Sequence, residues 1–193
     1  LAPDGTPAAL LHTERTFTVP TEIKRANSIA ANLLWDTAEY VLGLVGPKAT
    51  EKQAAKVPRK RDAFVASVAS LPDAIQADPG VAAVRAFLAG DHRPALEQMI
   101  VWETLAANGG NVSFRLQGDE MLVCERPAVV QALAEIAVAE FAADGPGSRC
   151  LISGETAPLA RLHPSIKGVR GAQSSGASLV SFNLDASASH GWK

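Results

Sequence analysis

The chain has 193 residues, 47% of them hydrophobic and 20% charged, with a formal net charge of −2, which is ordinary for one globular domain or a domain with an appendage. Its two cysteines, Cys124 and Cys150, form no CxxC pair, which argues against a disulfide scaffold or a zinc knuckle and for free thiols in a reducing compartment such as the cytoplasm. No apolar run is long enough to span a bilayer.

In chain order, residues 1–16 are rich in Pro, Gly and Ala and read as a poorly ordered start. They lack the basic lead of a signal peptide, and a first residue of Leu rather than Met suggests a piece of a longer chain. Phe17-Thr18-Val19-Pro20 has the make-up of a short edge strand ended by its proline. Lys24-Arg25-Ala26-Asn27-Ser28 is a compact basic loop. Lys24 and Arg25 suit phosphate contacts and Asn27 a base edge or sugar; equally, these residues could cap the next element. Leu33-Leu34-Trp35 reads as a strand running into a helix over 37–42, with Asp36 as its N-cap and Gly43 and Gly46-Pro47 at its end.

Helical spacing returns from Lys48 to Leu71, with Pro58 expected to break it. Lys56, Arg59, Lys60 and Arg61 cluster ahead of Phe64, Val65, Val68 and Leu71, whose spacing marks a buried stripe. Pro72-Asp73 and Asp78-Pro79-Gly80 read as turns, with a short helix over Val81–Leu88 closed by Gly90-Asp91. A longer helix is expected from Pro94 to Ala107, burying Leu96, Met99, Ile100 and Leu105, with Trp102 as packing. After a turn at 108–111, Val112 to Leu116 alternates as a strand. Gln117-Gly118-Asp119-Glu120 then turns the chain into a returning strand over Met121–Cys124. Pro127 opens a helix at the position proline prefers; it runs to about Ala143 with Val130, Leu133, Ile136 and Phe141 near one face, and 144–147 end it. Residues 184–193 read as a frayed tail.

The stretch from Arg149 to Asn183 is unlike the rest. Two short apolar runs, Cys150-Leu151-Ile152 and Leu179-Val180-Ser181-Phe182, have strand length. The linker between them carries Arg161, His163, Lys167, Arg170 and Gln173 among Gly168, Gly171, Gly176, Ser174, Ser175 and Ser178. Glycines let a partner approach the main chain, and successive N–H groups beside Lys and Arg make a cradle for an anion. The alternative is a surface loop that joins two strands. Charge is distributed to match: residues 22–61 hold eight Lys/Arg against four acids, residues 62–144 four against twelve, and residues 145–193 five against two. Two basic blocks flanking an acidic middle suit one face turned to a polyanion, or each block is simply a solvated face.

Nothing in the sequence assembles a catalytic site. His12, His92, His163 and His190 are scattered, and HExxH, GxSxG and Walker patterns are absent. A binding module is therefore expected over an enzyme, with no metal and no cofactor; a nuclease using His163 with Glu155 is the catalytic alternative.

GETAPLARLHPSIKGVRGAQSSGASLVSFN, from Gly154 to Asn183, resembles the signature of the large subunit of the type I-C CRISPR surveillance complex (Cascade), the Csd family. KRANSIAANLLWDTAEYVLGL (Lys24–Leu44) and NVSFRLQGDEMLVCERPAV (Asn111–Val129) resemble two further landmarks of that family, in the expected order. The resemblance covers most of residues 22–190, and family members are longer, so it implies a piece of the N-terminal region. It implies a non-catalytic DNA-binding subunit that recognises the protospacer-adjacent motif in duplex DNA and helps open the target for a helicase–nuclease. Its implied partners are double-stranded target DNA, the guide RNA complex, and the guide-end and backbone subunits. Read with the basic segments, the candidate DNA contacts are Lys24, Arg25, Asn27, Arg161, Lys167, Arg170, Gly171, Gln173, Ser174, Ser175 and Gly176. Docking on the guide-end subunit is a rival role for the same loop. The expected fold is α+β: one domain over 17–183, with helices packed around a mixed or antiparallel sheet drawn from 17–35, 111–124 and 149–183.

Overall fold

The computed structural model describes residues 1–23, 25, 28–143, 148–149, 153–154, 156–157, 166, 170–171 and 177. The fold is α+β. By its contacts the chain gathers into two compact units, Leu1–Glu135 and Ile136–Lys193, where the sequence reading treats 17–183 as one domain.

In the first unit, β1 (Trp35–Thr37) runs into α1 (Ala38–Val41). A capping box between Thr50 and Gln53 starts α2 (Glu51–Ala54): the Gln53 N–H donates to Thr50 Oγ1 at 3.3 Å, and the Thr50 N–H donates to Gln53 Oε1 at 2.8 Å. Pro58 sits in the first turn of α3 (Val57–Ala69), where its missing N–H has no helical partner to lose, so it begins a helix as well as ending the run before it. Then come α4 (Asp73–Gln76) and α5 (Pro79–Ala89). Asp78, read as a turn residue, caps α5 by accepting from the N–H groups of Gly80 at 2.8 Å and Val81 at 3.3 Å.

The single helix expected over 94–107 is two, α6 (Arg93–Glu97) and α7 (Trp102–Asn108). On one continuous helix Leu96 and Trp102 would lie about 120° apart. The break lets both turn inward, to 6% and 8% exposure, and leaves Ile100, expected in the buried stripe, 96% exposed.

After α7, β2 (Asn111–Ser113) pairs antiparallel with β1, in register Trp35↔Ser113, Asp36↔Val112, Thr37↔Asn111. The expected partners of that pairing differ. Met121–Cys124 is not a returning strand: one backbone bond links the Val123 N–H to the Phe114 carbonyl at 2.8 Å, and the chain then enters a 3-10 turn over Val123–Glu125. Phe17–Pro20 is not a strand either, because side chains take up its backbone groups. The Thr18 N–H donates to Glu125 Oε1 at 2.9 Å, and Trp35 Nε1 donates to the Pro20 carbonyl at 2.9 Å. Pro127 opens α8 (Pro127–Ala143) as expected, but among its described side chains Val129 is buried and Val130 is 51% exposed.

The core lies where α1 packs on α3 and α3 on α5. Phe64, Val68, Val81 and Val84 of α3 and α5 are wholly buried, as is Val129 of α8. Phe114, at 5.5 Å edge-on to Phe87 and 6.3 Å from Phe64, ties β2 to the helices. Gly5, in the expected loose start, is buried against Ala86 and Phe87 of α5.

In the second unit, β3 (Ser148–Arg149) pairs antiparallel with β4 (Thr156–Ala157). An antiparallel bridge joins Ile166 to Ala177. The tail over 184–193 lies outside the described residues.

Candidate nucleic-acid interface

The first basic block turns part of its charge inward. Leu34, fully buried with φ of +61°, bends the chain ahead of β1 so that Asp36 points into the unit at 1% exposure. Asp36 is not the helix cap read from the sequence; Thr37 holds the N-cap position, without a side-chain bond. Asp36 accepts from the N–H groups of Asn32 at 2.8 Å and Thr37 at 2.7 Å, and from both terminal nitrogens of Arg25, with Nη1 to Oδ1 at 3.0 Å. A buried carboxylate needs such a full shell of donors. The Arg25 guanidinium also lies 4.2 Å from the centre of the Tyr40 ring. Lys60 addresses that ring at 5.5 Å and donates to Glu39. Arg25 thus holds the β1–α1 junction together, whatever else it touches. Its sequence neighbours Lys24 and Asn27 lie outside the described residues.

Other cations of this block face outward. Lys48, Lys52, Lys56 and Arg59 are exposed, and none forms an ion pair with a described residue. Arg61 is half-buried.

In the second unit the Ile166–Ala177 bridge is made by two backbone bonds, from the Ile166 N–H to the Ala177 carbonyl at 2.8 Å and back at 2.9 Å. Between these points the chain turns at Arg170-Gly171, both exposed, and Gly171 has φ of +84°, a conformation that favours glycine. Arg149 is used locally: its Nε donates to the Gly154 carbonyl at 3.2 Å. Of the predicted contacts in this stretch, Arg170 and Gly171 are described. Arg161, Lys167, Gln173, Ser174, Ser175 and Gly176 lie outside the described residues, as do His163 and Glu155.

Among the described residues no group of His, Cys, Asp and Glu has the arrangement of a metal site. Cys124 is buried, and burial pushes its thiol above the ordinary range. Arg126 reaches across Gly80 to Asp78, with Nε donating to Oδ1 at 2.8 Å and Oδ2 at 2.9 Å, and also pairs with Asp119. The hydrogen bonds that Arg126 donates to Asp78 are the main cause of its raised pKa. The sequence reading did not find this pair, nor Arg25–Asp36, because each partner is remote along the chain.

Among the described residues, outward-facing cations thus lie on α2 and α3 in the first unit, and an exposed arginine–glycine turn lies in the second. The family model for the CRISPR-associated protein Csd1 matches residues 3–193, and the chain belongs to that family. Against curated proteins it has no match. Membership supports a Cascade-type subunit working within a CRISPR effector complex.

Proposed function

We propose that this chain is part of the large subunit of a type I-C Cascade, that it binds target DNA in the cytoplasm, and that it does no chemistry on it. It recognises the protospacer-adjacent motif in the duplex and helps open the target for a helicase–nuclease, beside the guide RNA and the guide-end and backbone subunits. Guide pairing reads the target sequence, so the protein needs to read only a short motif. The observation that carries the proposal is the exposed Arg170-Gly171 turn between bridged ends, in a chain matched by the Csd1 family over residues 3–193.

In this reading Lys167 and Arg170 meet phosphates. Gln173 and Ser174 approach a base or sugar edge, with the main chain from Gly171 to Gly176 close to the backbone. Arg161 and Ser175 flank that contact. Lys24 and Asn27 form a second surface, and Arg25 supports it from its pair with Asp36. Ile166, apolar and 45% exposed at the foot of the turn, favours a second reading in which the loop docks on the guide-end subunit.

The test is DNA affinity of the assembled complex across a range of salt. Arg170→Ala should shallow the salt slope by roughly one, the loss of one phosphate contact. An unchanged slope in a normally assembled complex removes the DNA role, and loss of assembly favours docking. Incubating the complex with duplex DNA and a divalent metal should leave the DNA intact; cleavage that disappears in His163→Ala would make it an enzyme.

A further inference from the structure

A second cationic feature lies in the first unit and is independent of the loop. Residues of α3, the end of α5, and α6–α7 enclose a cleft of about 240 Å³, whose walls include Arg61, Phe87, His92, Arg93, Leu96 and Trp102. Arg61 is half-buried, and its Nη1 is buried with no hydrogen-bond partner among the described residues. Burial pulls its pKa below the ordinary value, with neighbouring Asp62 partly offsetting this. A guanidinium keeps its charge even so, and a buried N–H of a charged group left unbonded is unfavourable.

The surroundings are fixed rather than loose. His92 stacks on Phe87 with ring centres 5.0 Å apart. It folds over Gly90, where an added Cβ would fall 2.5 Å from His92 Nε2. The Arg93 guanidinium lies 5.3 Å from the centre of the Trp102 ring. Asp91 is the carboxylate in the lining; its Oδ1 accepts from the Arg93 N–H at 3.2 Å. Glu97 stands 3.5 Å from Arg93 Nη1, in a pair whose side chains are both more than 40% exposed, too open to neutralise the cleft. Two guanidiniums and an imidazole therefore line one space with a single carboxylate, while Asp62 acts on Arg61 and the exposed Asp4 on His92 from outside the lining.

We propose that this cleft is a phosphate-binding site, with Arg61 as its principal donor. The volume is below the roughly 300–1,000 Å³ of pockets that enclose whole drug-sized ligands and admits a phosphate group with room for water; the guanidiniums, not the size, select the anion. Its oxygens can accept from a guanidinium fork and from Arg93 or His92 together.

The experiment is a calorimetric titration of the full chain with inorganic phosphate, at ionic strength held constant with chloride, paired with thermal midpoints. Saturable binding is expected, weakened about tenfold or more in Arg61→Gln. Without phosphate, the thermal midpoint of Arg61→Gln should match or exceed the parent's, because a buried guanidinium N–H without a hydrogen-bond partner among the described residues has gone. Should that variant fail to fold, Arg93→Gln at the exposed side of the cleft should still weaken binding severalfold. Competition by a 5′-phosphorylated dinucleotide, but not by its dephosphorylated form, would identify the phosphate as a nucleic-acid end; displacement by neither would identify free phosphate, and both results support the site. No saturable binding by the parent chain, or equal affinity in both variants, overturns it.

Discussion

The two basic blocks carry similar charge and use it differently. In the first, Arg25 is drawn onto Asp36 and Tyr40, Lys60 onto Glu39 and the same ring, and Arg61 is half-buried. In the second, Arg170 stands exposed at a turn, while Arg149 serves a nearby carbonyl. A count of Lys and Arg thus overstates the charge offered to a partner wherever a buried carboxylate or an aromatic ring lies within reach. Arg25 is the case in point: as a side chain it belongs first to the interior.

The largest effect that would break this comparison is on Asp36. Removing one member of a buried pair leaves the other uncompensated, so Asp36→Ala should lower stability by about 3–5 kcal/mol in urea unfolding of the full chain. If the loss were below about 1 kcal/mol, Arg25 would be as free as Arg170 and the contrast would vanish. Asp78→Ala should rank second, at about 1–3 kcal/mol, although it removes both a helix cap and an ion pair. Arg126 keeps Asp119 as a partner after that change, whereas Arg25 has no second described carboxylate.

Much of this interior was legible where local signals and packing agree. Pro127 announced α8, a short helix was expected where α5 lies, though its first residues Pro79 and Gly80 were read as a turn, and the spacing of Phe64 and Val68 gave the buried face of α3. What escaped depends on side-chain pairings that local composition does not rank. Asp36 resembles a cap to its neighbours, and only Arg25 and the turn at Leu34 make it a buried acceptor. The run Met121–Cys124 has strand composition, yet Glu125 draws it into a 3-10 turn by accepting from the Leu122 N–H at 2.9 Å. The helix expected over 94–107 fails at Ile100 because Leu96 and Trp102 need opposite rotations to reach the core. Of the candidate interface, the basic segments and the conformational need for Gly171 were readable; the inward pairing of Arg25 was not.

A smaller effect probes the same interior by pH. Burial raises the Cys124 thiol in the folded state. Its thiolate is therefore disfavoured there, and the associated stability is present below the ordinary thiol pKa and declines as pH rises through the higher folded value. Iodoacetamide at mildly alkaline pH should label Cys124 far more slowly in the native chain than in urea, as followed by peptide mass spectrometry at that residue. Equal rates would mean that the contact between Cys124 and the Thr18 carbonyl does not shield the thiol.

The smallest expected change in stability is at Arg170, and it sharpens the comparison most. An exposed residue at a turn, without a described ion-pair partner, should shift unfolding by no more than about 0.5 kcal/mol when replaced by alanine. Arg25→Ala, in contrast, should destabilise by more than about 1 kcal/mol, because the Asp36 carboxylate would stay buried with only backbone donors. Measured side by side, unfolding and salt-dependent DNA binding separate two uses of one residue type. Arg170→Ala should move the salt slope and leave the unfolding midpoint in place. Arg25→Ala should move the midpoint, and any effect on DNA should follow the fraction of folded protein. A reversal of that pattern, with Arg25 setting the salt slope in a stable chain, would put the DNA contact on the first unit and leave the arginine–glycine turn to protein docking.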